Sequence, residues 1–491
     1  MAASPVPRTP PPRSTLAQTA LRAWRSPRCF AFVVAALAVL LGAGLRFHQL
    51  GLADLSADEA ASWAGASAPG MSQVVALEQQ LDPGKLPLYD LLLHGWIRVF
   101  GDGVSAMRAM SAGLGTIAIV LVFVAVREVC NSFGDAPASA VGELAGAFAA
   151  LIYATNFTML ESDRTVRMYP LVMVAALVQI AFLARAQRRG GWFSYAGAAI
   201  FTAAMVAANF TACFLLLAEG LWLGCLLLAK LAGARTGGLA VFRPGAALAA
   251  GLVLLAPLLP AALTSSQQAV AIGALDWIKV QPLWWPYTML RKAAGGHTLF
   301  WMFAALGVFG VRRQWRAARL ASGFFAAWMV GPILGVLAVT YLLHPLEFFR
   351  YLLIAFVGMF GFAALGAASV RSSAWRVAVA VLLVVLSMRQ VRHWLRYSHG
   401  AAWREATMLA AREAAPGDQI AVFPPYCTNV VRYYLPRGRR GAVTGADSQC
   451  TAARVLIMSG FSISPPAAVA TMEACYPQVL ARLKLTEVRS R

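Results

Sequence analysis

Charged residues are scarce in this chain of 491 residues: only 13% are Asp, Glu, Lys or Arg, against about 25% in a typical soluble domain. Hydrophobic residues make up 59%, which excludes a water-soluble globular enzyme. Cysteine is also sparse, and 7 residues in a chain of this length exclude a small disulfide-stabilised scaffold. The long apolar runs therefore predict an α-helical polytopic membrane protein.

Acidic residues are half as numerous as basic ones, 21 against 42, which leaves a net charge of +21. The basic residues occur mainly in short connections between apolar runs. An excess of Lys and Arg there marks the cytoplasmic side of a membrane and does not indicate a nucleic-acid partner. We therefore expect a multi-pass protein of a cell inner membrane, with a cytoplasmic N-terminus (residues 1–29) and an extracytoplasmic C-terminal domain. The basic residues of the segments predicted to be cytoplasmic are Arg8, Arg13, Arg22, Arg25, Arg28, Arg185, Arg188, Arg189, Lys230, Arg235, Arg243, Arg312, Arg313, Arg316, Arg319, Arg371 and Arg376.

Apolar runs of about 20 residues predict transmembrane helices, and we count about 11 of them over residues 30–391. The first run, from Phe30 to about Leu45, has basic flanks like those of a secretory signal peptide. Because Gly42-Ala43-Gly44 leads into Arg46 and not into a clean cleavage site, we interpret it as an uncleaved helix. An outer loop at 47–106 follows it. The remaining spans are predicted near 107–127, 139–160, 170–187, 192–209, 211–230, 244–263, 298–311, 320–342, 351–369 and 374–391.

The C-terminal segment, residues 392–491, is not a membrane segment. Gln419 to Phe423 and Arg454 to Met458 predict short strands bounded by turn residues, and Trp403 to Glu413 predicts an amphipathic helix. These patterns predict a small α/β domain outside the membrane.

The outer loop carries most of the polar chemistry. Asp58 and Glu59 are adjacent carboxylates, the kind of group that general-base catalysis requires. Asp82 and Lys85 follow, and a lysine can provide a point charge for a phosphate. An alternative is that Asp58 merely caps a helix that begins at Glu59.

Several segments of the sequence resemble GT-C glycosyltransferases. They are most similar to the branch of protein O-mannosyltransferases, lipid A aminoarabinose transferases and RgtA/B/C/D-like enzymes. The resemblance runs discontinuously over about residues 46–430. It rests on Leu-Ser-Ala-Asp58-Glu59-Ala, Asp82…Pro87-Leu88-Tyr89, Phe100-Gly101…Met107-Arg108, Arg167-Met168-Tyr169-Pro170, Phe349-Arg350-Tyr351, and Trp403-Arg404-Glu405-Ala406 with Pro416-Gly417-Asp418. The chain departs from the family's usual Pro-Pro at Leu86-Pro87 and has Val166 where a Glu commonly precedes the Arg.

The resemblance implies transfer of a sugar from a polyprenyl-phosphate donor to a lipid, glycan or protein acceptor at the outer face, with inversion. The catalytic base of the family corresponds to Asp58, with Glu59 beside it. The resemblance implies no cofactor and no metal ligands, although a divalent metal is left open. The cations expected at the donor phosphate are Lys85, Arg167 and Arg350, and the residues expected to line the substrate pocket are Asp82, Tyr89, Glu161, Asp163, Tyr169 and Tyr351.

Other interpretations of these residues stay open. Arg167 and Arg350 are also what interfacial arginines at helix ends look like. A transporter or flippase of a lipid-linked substrate is the alternative function, and it would place charged residues deep in the spans. Glu219 is such a residue, for which we expect a hydrogen bond between helices. A disulfide between Cys427 and Cys450 is a further hypothesis.

Overall fold

The structure is a computed structural model. It describes residues 26–81, 86–133, 140–233, 240–271, 278–346, 348–397, 402–416, 418–423, 425–445 and 455–458. The helices before the C-terminal unit are α1 Pro27–Phe47, α2 Ala57–Ala66, α3 Met71–Leu81, α4 Leu88–Phe100, α5 Val104–Phe133, α6 Ala140–Thr155, α7 Phe157–Asp163, α8 Tyr169–Arg189, α9 Trp192–Ala208, α10 Cys213–Leu231, α11 Phe242–Leu254, α12 Leu259–Ala271, α13 Trp285–Ala294, α14 His297–Leu342, α15 Leu353–Ala368 and α16 Ser373–Tyr397.

The predicted spans fall on helices, and those near 139–160 and 244–263 each fall on a bent pair of helices, so the chain is a multi-pass α-helical membrane protein. Seven helices of the described residues are long and apolar enough to cross a bilayer, and three bent helix pairs could each form a further span. The predicted span at 192–209 is α9, whose 17 residues are shorter than those seven. The two spans predicted at 298–311 and 320–342 join without a loop, since α14 continues through non-helical residues at Gln314 and Ala318.

Two of the bent pairs meet at one end of the bundle. The α6–α7 pair bends by 66° and the pair α13 and α14 by 93°. Asn156 caps α7 through Met159 N and donates from Nδ2 to Ala293 O at 2.7 Å, so the two breaks are joined directly. Gly295 ends α13 with φ of +95°, in the left-handed region that glycine adopts readily. The breaks therefore bring α7 and the end of α13 together at this end of the bundle, which is where a site can form.

Helix packing within the bundle depends on close approach at small residues. A Cβ atom on Gly366 of α15 would overlap Leu306 O of α14, and one on Gly358 would lie 2.7 Å from Met329 N. Apolar side chains gain little by association in lipid, so close backbone contact of this kind is a main source of helix affinity.

A buried ion pair links α1 to α7. Arg46 and Asp163 are 0% and 2% exposed, and Arg46 donates to Asp163 Oδ2 from Nε at 2.9 Å and from Nη2 at 2.6 Å. Tyr153 donates its hydroxyl to Oδ1 at 3.3 Å. Asp163, expected from the family resemblance in the substrate pocket, thus points into the bundle, because its charge is matched by an arginine on the first span.

A second polar contact lies within the spans. Glu219 of α10 accepts a hydrogen bond from Gln179 Nε2 of α8 at 3.1 Å. This is the contact between helices that we expected for Glu219, and it satisfies part of a polar group that lipid could not solvate.

The C-terminal unit has the predicted helix and strands. It contains α17 Trp403–Glu413, β1 Ile420–Phe423, α18 Thr428–Tyr434, β2 Val443–Gly445 and β3 Val455–Met458. The strands form a parallel sheet in the order β2-β1-β3. Tyr434 accepts a hydrogen bond from Leu55 N at 2.9 Å, and Arg404 N donates to Asp54 Oδ2 at 2.8 Å. The unit therefore packs on the loop that carries α2, as expected if both lie on one side of the membrane.

The other ends of α5 and α8 meet through a charged cluster. Arg188 contacts Glu128 at 2.6 Å, and Arg127 contacts the same carboxylate at 2.9 Å. The predicted cytoplasmic connections after these two helices therefore share one end of the bundle. Which end faces the cytoplasm stays a prediction.

Replacing Asp163 by Asn should destabilise the protein by about 3 kcal/mol or more, because Arg46 would keep a buried charge without its counter-ion. The measurement is the apparent melting temperature in detergent. The double variant Arg46→Met with Asp163→Leu should recover part of the loss, since it removes both charges. An unchanged melting temperature for Asp163→Asn would contradict the structural role of this pair.

Candidate active site

Helix α2 begins at a capping box that sets the directions of the two adjacent acids. Ser56 Oγ accepts from Glu59 N at 3.3 Å, and Glu59 Oε2 accepts from Ser56 N at 2.9 Å. The cap is therefore Ser56, and the idea that Asp58 caps this helix is wrong. Because Glu59 turns back to its own helix start, Asp58 is left pointing away from it.

Glu59 is buried, with 2% exposed, and its carboxylate joins three segments. Arg108 of α5 donates to both of its oxygens at 2.8 Å, and Val166 N donates to Oε1 at 3.0 Å. Burial alone would raise the pKa of Glu59, but the charge and hydrogen bonds of Arg108, with the two backbone donors, hold it below its ordinary value. These contacts indicate that Glu59 holds α2 in place and do not favour a role as a base that must take up a proton.

Asp58, in contrast, is 54% exposed in its side chain and faces outward. Its Oδ2 atom lies 2.9 Å from Arg350 Nη1. Arg350 belongs to the short turn Phe349–Leu352, which precedes α15. The structure thus brings together two site residues that are 292 positions apart in the sequence.

Arg167 lies behind α2. It is 8% exposed, and its Nη1 atom is 3.5 Å from both Asp58 O and Ser62 Oγ. Its guanidinium therefore supports the helix that carries Asp58, and it is not among the residues that line the cavity described next.

Beside the Asp58–Arg350 pair is a cavity of about 190 Å³. It is formed by α7, the connection to α8, the end of α13 and the turn that carries Arg350. Its lining residues are Thr158, Glu161, Ser162, Thr165, Tyr169, Lys292, Phe348, Phe349, Arg350 and Leu353.

The cavity carries charges of both signs. Lys292 and Arg350 contribute two cations, and Lys292 Nζ also lies 4.3 Å from the ring centre of Phe349. Glu161 contributes a carboxylate for which the structure records no hydrogen bond or ion pair among the described residues. The hydroxyl of Ser162 is buried, and it too has no hydrogen-bond partner among the described residues. This arrangement suits a ligand that has an anionic group and several hydroxyl groups.

Sequence reasoning missed Lys292. No local motif marks this lysine in the sequence. Its place depends on the break after α13 and on the hydrogen bond from Asn156 to Ala293 O, which joins residues 137 positions apart.

The three predicted tyrosines lie in different places. Tyr169 lines the cavity and also a smaller one of about 20 Å³, which Tyr351, Arg350 and Asn209 share. Tyr89 is fully buried and its hydroxyl lies 3.1 Å from Ser111 Oγ. Burial raises the pKa of Tyr89 well above its usual range, and it takes no part in either cavity.

Three predicted residues fall elsewhere. Asp82 and Lys85 lie outside the described residues, and so does Cys450 of the disulfide hypothesis. Among the residues that the structure does describe, no group of three or more His, Cys, Asp or Glu side chains is arranged to hold a metal ion.

The C-terminal unit packs on the helix that carries Asp58. Trp63 of α2 contacts Tyr433 edge to face, with ring centres 5.0 Å apart. Tyr426, just before α18, is 53% exposed, and partial burial, together with the negative charge of Asp58, raises its pKa. An exposed phenol therefore lies near the Asp58 carboxylate.

No protein-family model matches the chain, and no curated protein matches it. Solved structures do. ArnT from Cupriavidus metallidurans in the apo state matches with a TM-score of 0.56 at 13% identity, over 93% of this chain and 90% of that one. Its structure bound to undecaprenyl phosphate matches with a TM-score of 0.54 at 12% identity, over 93% and 91%.

A third solved structure is AglB from Archaeoglobus fulgidus, an archaeal oligosaccharyltransferase in complex with an inhibitory peptide and a dolichol-phosphate. It matches with a TM-score of 0.51 at 12% identity, over 82% of this chain and 63% of that one. The chain thus spans less than two thirds of the archaeal protein. These similarities confirm that the chain has the GT-C fold.

Replacing Glu59 by Gln should make the stability of the folded protein less dependent on pH in the acidic range. Because the folded-state pKa of Glu59 is below the unfolded value of about 4.3, its contribution is complete above that pH and is lost as the pH falls through the folded value. The apparent melting temperature of the wild type should exceed that of Glu59→Gln at pH 7, and the gap should narrow below about pH 4. The exposed Glu405→Gln is the matched control; a gap that is constant with pH would contradict the assignment.

Proposed function

We propose that the protein is a membrane glycosyltransferase that moves a sugar from a polyprenyl-phosphate donor to an acceptor hydroxyl outside the cytoplasm, with inversion. The observation that carries the proposal is the position of an exposed carboxylate, Asp58, at the rim of a cavity that holds Lys292, Arg350 and Glu161. The GT-C fold supports it, and so does the binding of undecaprenyl phosphate by ArnT, whose fold is similar.

The donor phosphate would occupy the cationic side of the cavity. In the reaction the acceptor oxygen forms a bond to the anomeric carbon while the bond from that carbon to the phosphate oxygen breaks. The departing polyprenyl phosphate is weakly basic, so it requires charge stabilisation more than protonation. Lys292 and Arg350 provide two positive charges for this purpose, in addition to Lys85, which the sequence suggested and which lies outside the described residues.

Asp58 would take the proton of the acceptor hydroxyl as its oxygen attacks. An inverting reaction with an oxocarbenium-like transition state needs one carboxylate as a base on the side of the attack. Asp58 is accessible from outside the cavity, where an acceptor can approach. Glu59 serves as its positioning residue, because it fixes α2 against α5 and against Val166.

The sugar would lie toward Glu161. The structure records no partner for its carboxylate among the described residues, and a carboxylate is a good partner for sugar hydroxyl groups. A phosphate would be repelled by Glu161, which favours the opposite, cationic side for the phosphate.

Replacing Asp58 by Asn should lower sugar transfer by about 10²- to 10⁴-fold, the usual range for loss of a general base. The side chain is exposed, so the variant should fold normally. Transfer of radiolabelled sugar from a panel of polyprenyl-phosphate sugars to cell-envelope acceptors measures the effect, with Glu405→Gln as the control. Full transfer by Asp58→Asn would show that the base lies elsewhere.

Replacing Lys292 by Gln should weaken the binding of undecaprenyl phosphate by about ten- to 150-fold, because a charge-assisted contact to phosphate contributes roughly 1.5–3 kcal/mol. Binding is measured with the purified protein in detergent. Lys279→Gln is the matched control, since Lys279 is an exposed lysine that does not line the cavity. Equal affinities of the wild type and Lys292→Gln would remove Lys292 from the phosphate site.

A further inference from the structure

Arg350 contacts the Asp58 carboxylate and also lines the cavity proposed for the donor. Its Nη1 atom lies 2.9 Å from Asp58 Oδ2, and the same side chain lines the cavity proposed for the donor. The side chains of the pair are 38% and 54% exposed, so both are accessible to solvent and to a ligand. One guanidinium is thus placed between the proposed base and the proposed phosphate site.

The other polar groups near Asp58 make their recorded contacts with atoms other than its carboxylate oxygens. Glu59 is directed to Arg108, and Arg167 reaches the backbone oxygen of Asp58 and not its side chain. Tyr426 approaches as a neutral phenol with a raised pKa. Within the described part of the chain, Arg350 is therefore the cation paired with the Asp58 carboxylate.

This pairing opposes catalysis. The Oδ2 atom of Asp58 is occupied by the Arg350 guanidinium and is therefore not available to take up the proton of an acceptor hydroxyl. A phosphodiester has two non-bridging oxygens, and it can engage a guanidinium through two parallel hydrogen bonds. Between Asp58 and Arg350 the structure shows one such contact, so the incoming phosphate is the stronger competitor.

We propose that Arg350 is exchanged between Asp58 and the donor phosphate, so that donor binding releases Asp58 to act as the base. This inference rests on the proposed function. Its consequence is an ordered reaction, in which the base becomes competent only when the donor is in place. Because such coupling is reciprocal, Asp58 must also weaken the binding of the phosphate.

The test is a double-mutant cycle on the binding of undecaprenyl phosphate, which needs no catalysis. Asp58→Asn should bind this lipid about two- to fivefold more tightly than the wild type, the range expected for release of a partly exposed ion pair. Arg350→Gln should bind it more weakly. In the Arg350→Gln background, Asp58→Asn should give no further tightening.

Controls separate competition from general electrostatics. Asp54→Asn removes a nearby carboxylate that pairs with Arg404 and not with Arg350, so it should leave the affinity unchanged. Arg350→Lys keeps the positive charge but lacks the planar guanidinium, so its affinity for the lipid should lie between those of the wild type and Arg350→Gln. This variant also provides the comparison if Arg350→Gln does not fold.

Three outcomes would overturn the inference. Unchanged or weaker binding by Asp58→Asn would mean that Arg350 does not leave Asp58 for the phosphate. Equal tightening in both Arg350 backgrounds would mean simple charge repulsion. Absence of binding by the wild type would overturn the proposed function as well, whereas the first two results would leave that function intact.

Discussion

The carboxylate of Glu59 determines where the rest of the site can lie. It holds the start of α2, the guanidinium of Arg108 and the backbone of Val166 in one buried cluster. An unpaired charge at this depth would be strongly unfavourable, so the three segments have little freedom to separate. Asp58, one residue earlier, is carried by this cluster to the rim of the cavity. The direction of the Asp58 side chain therefore depends on Glu59, a residue that takes no chemical part in the proposed reaction.

The membrane fold was readable from the sequence because its causes are local. Length and hydropathy decide whether a helix can span a bilayer, and the scarcity of charge made the spans stand out. The helix Trp403–Glu413 and the two predicted strands of the C-terminal unit were equally local patterns, and they were confirmed. The distinction between Asp58 and Glu59 was also available, since Ser56 and Glu59 have the spacing of a capping box.

Other features depend on contacts between distant segments, and no local pattern could reveal them. Lys292 reaches the cavity because a break after α13 meets a break before α7, through Asn156 and Ala293. Asp163 was assigned to the pocket by resemblance, but its partner Arg46 lies on the first span, 117 positions away. The family resemblance pointed to a segment that does line the cavity, but the direction of each acid within that segment depends on contacts with distant parts of the chain.

The proposed reaction needs a carboxylate base beside a phosphate site, and the distribution of acids in this basic chain allows both. Glu59 and Asp163 are buried and each is matched by an arginine that does not line the cavity. Asp58 is matched by Arg350, which does line it. A phosphate site needs a cation, and a nearby carboxylate needs one as well until a substrate arrives. In the proposed reaction one arginine meets both requirements, so that the Asp58 carboxylate has its counter-ion in the empty site and loses it when the phosphate binds.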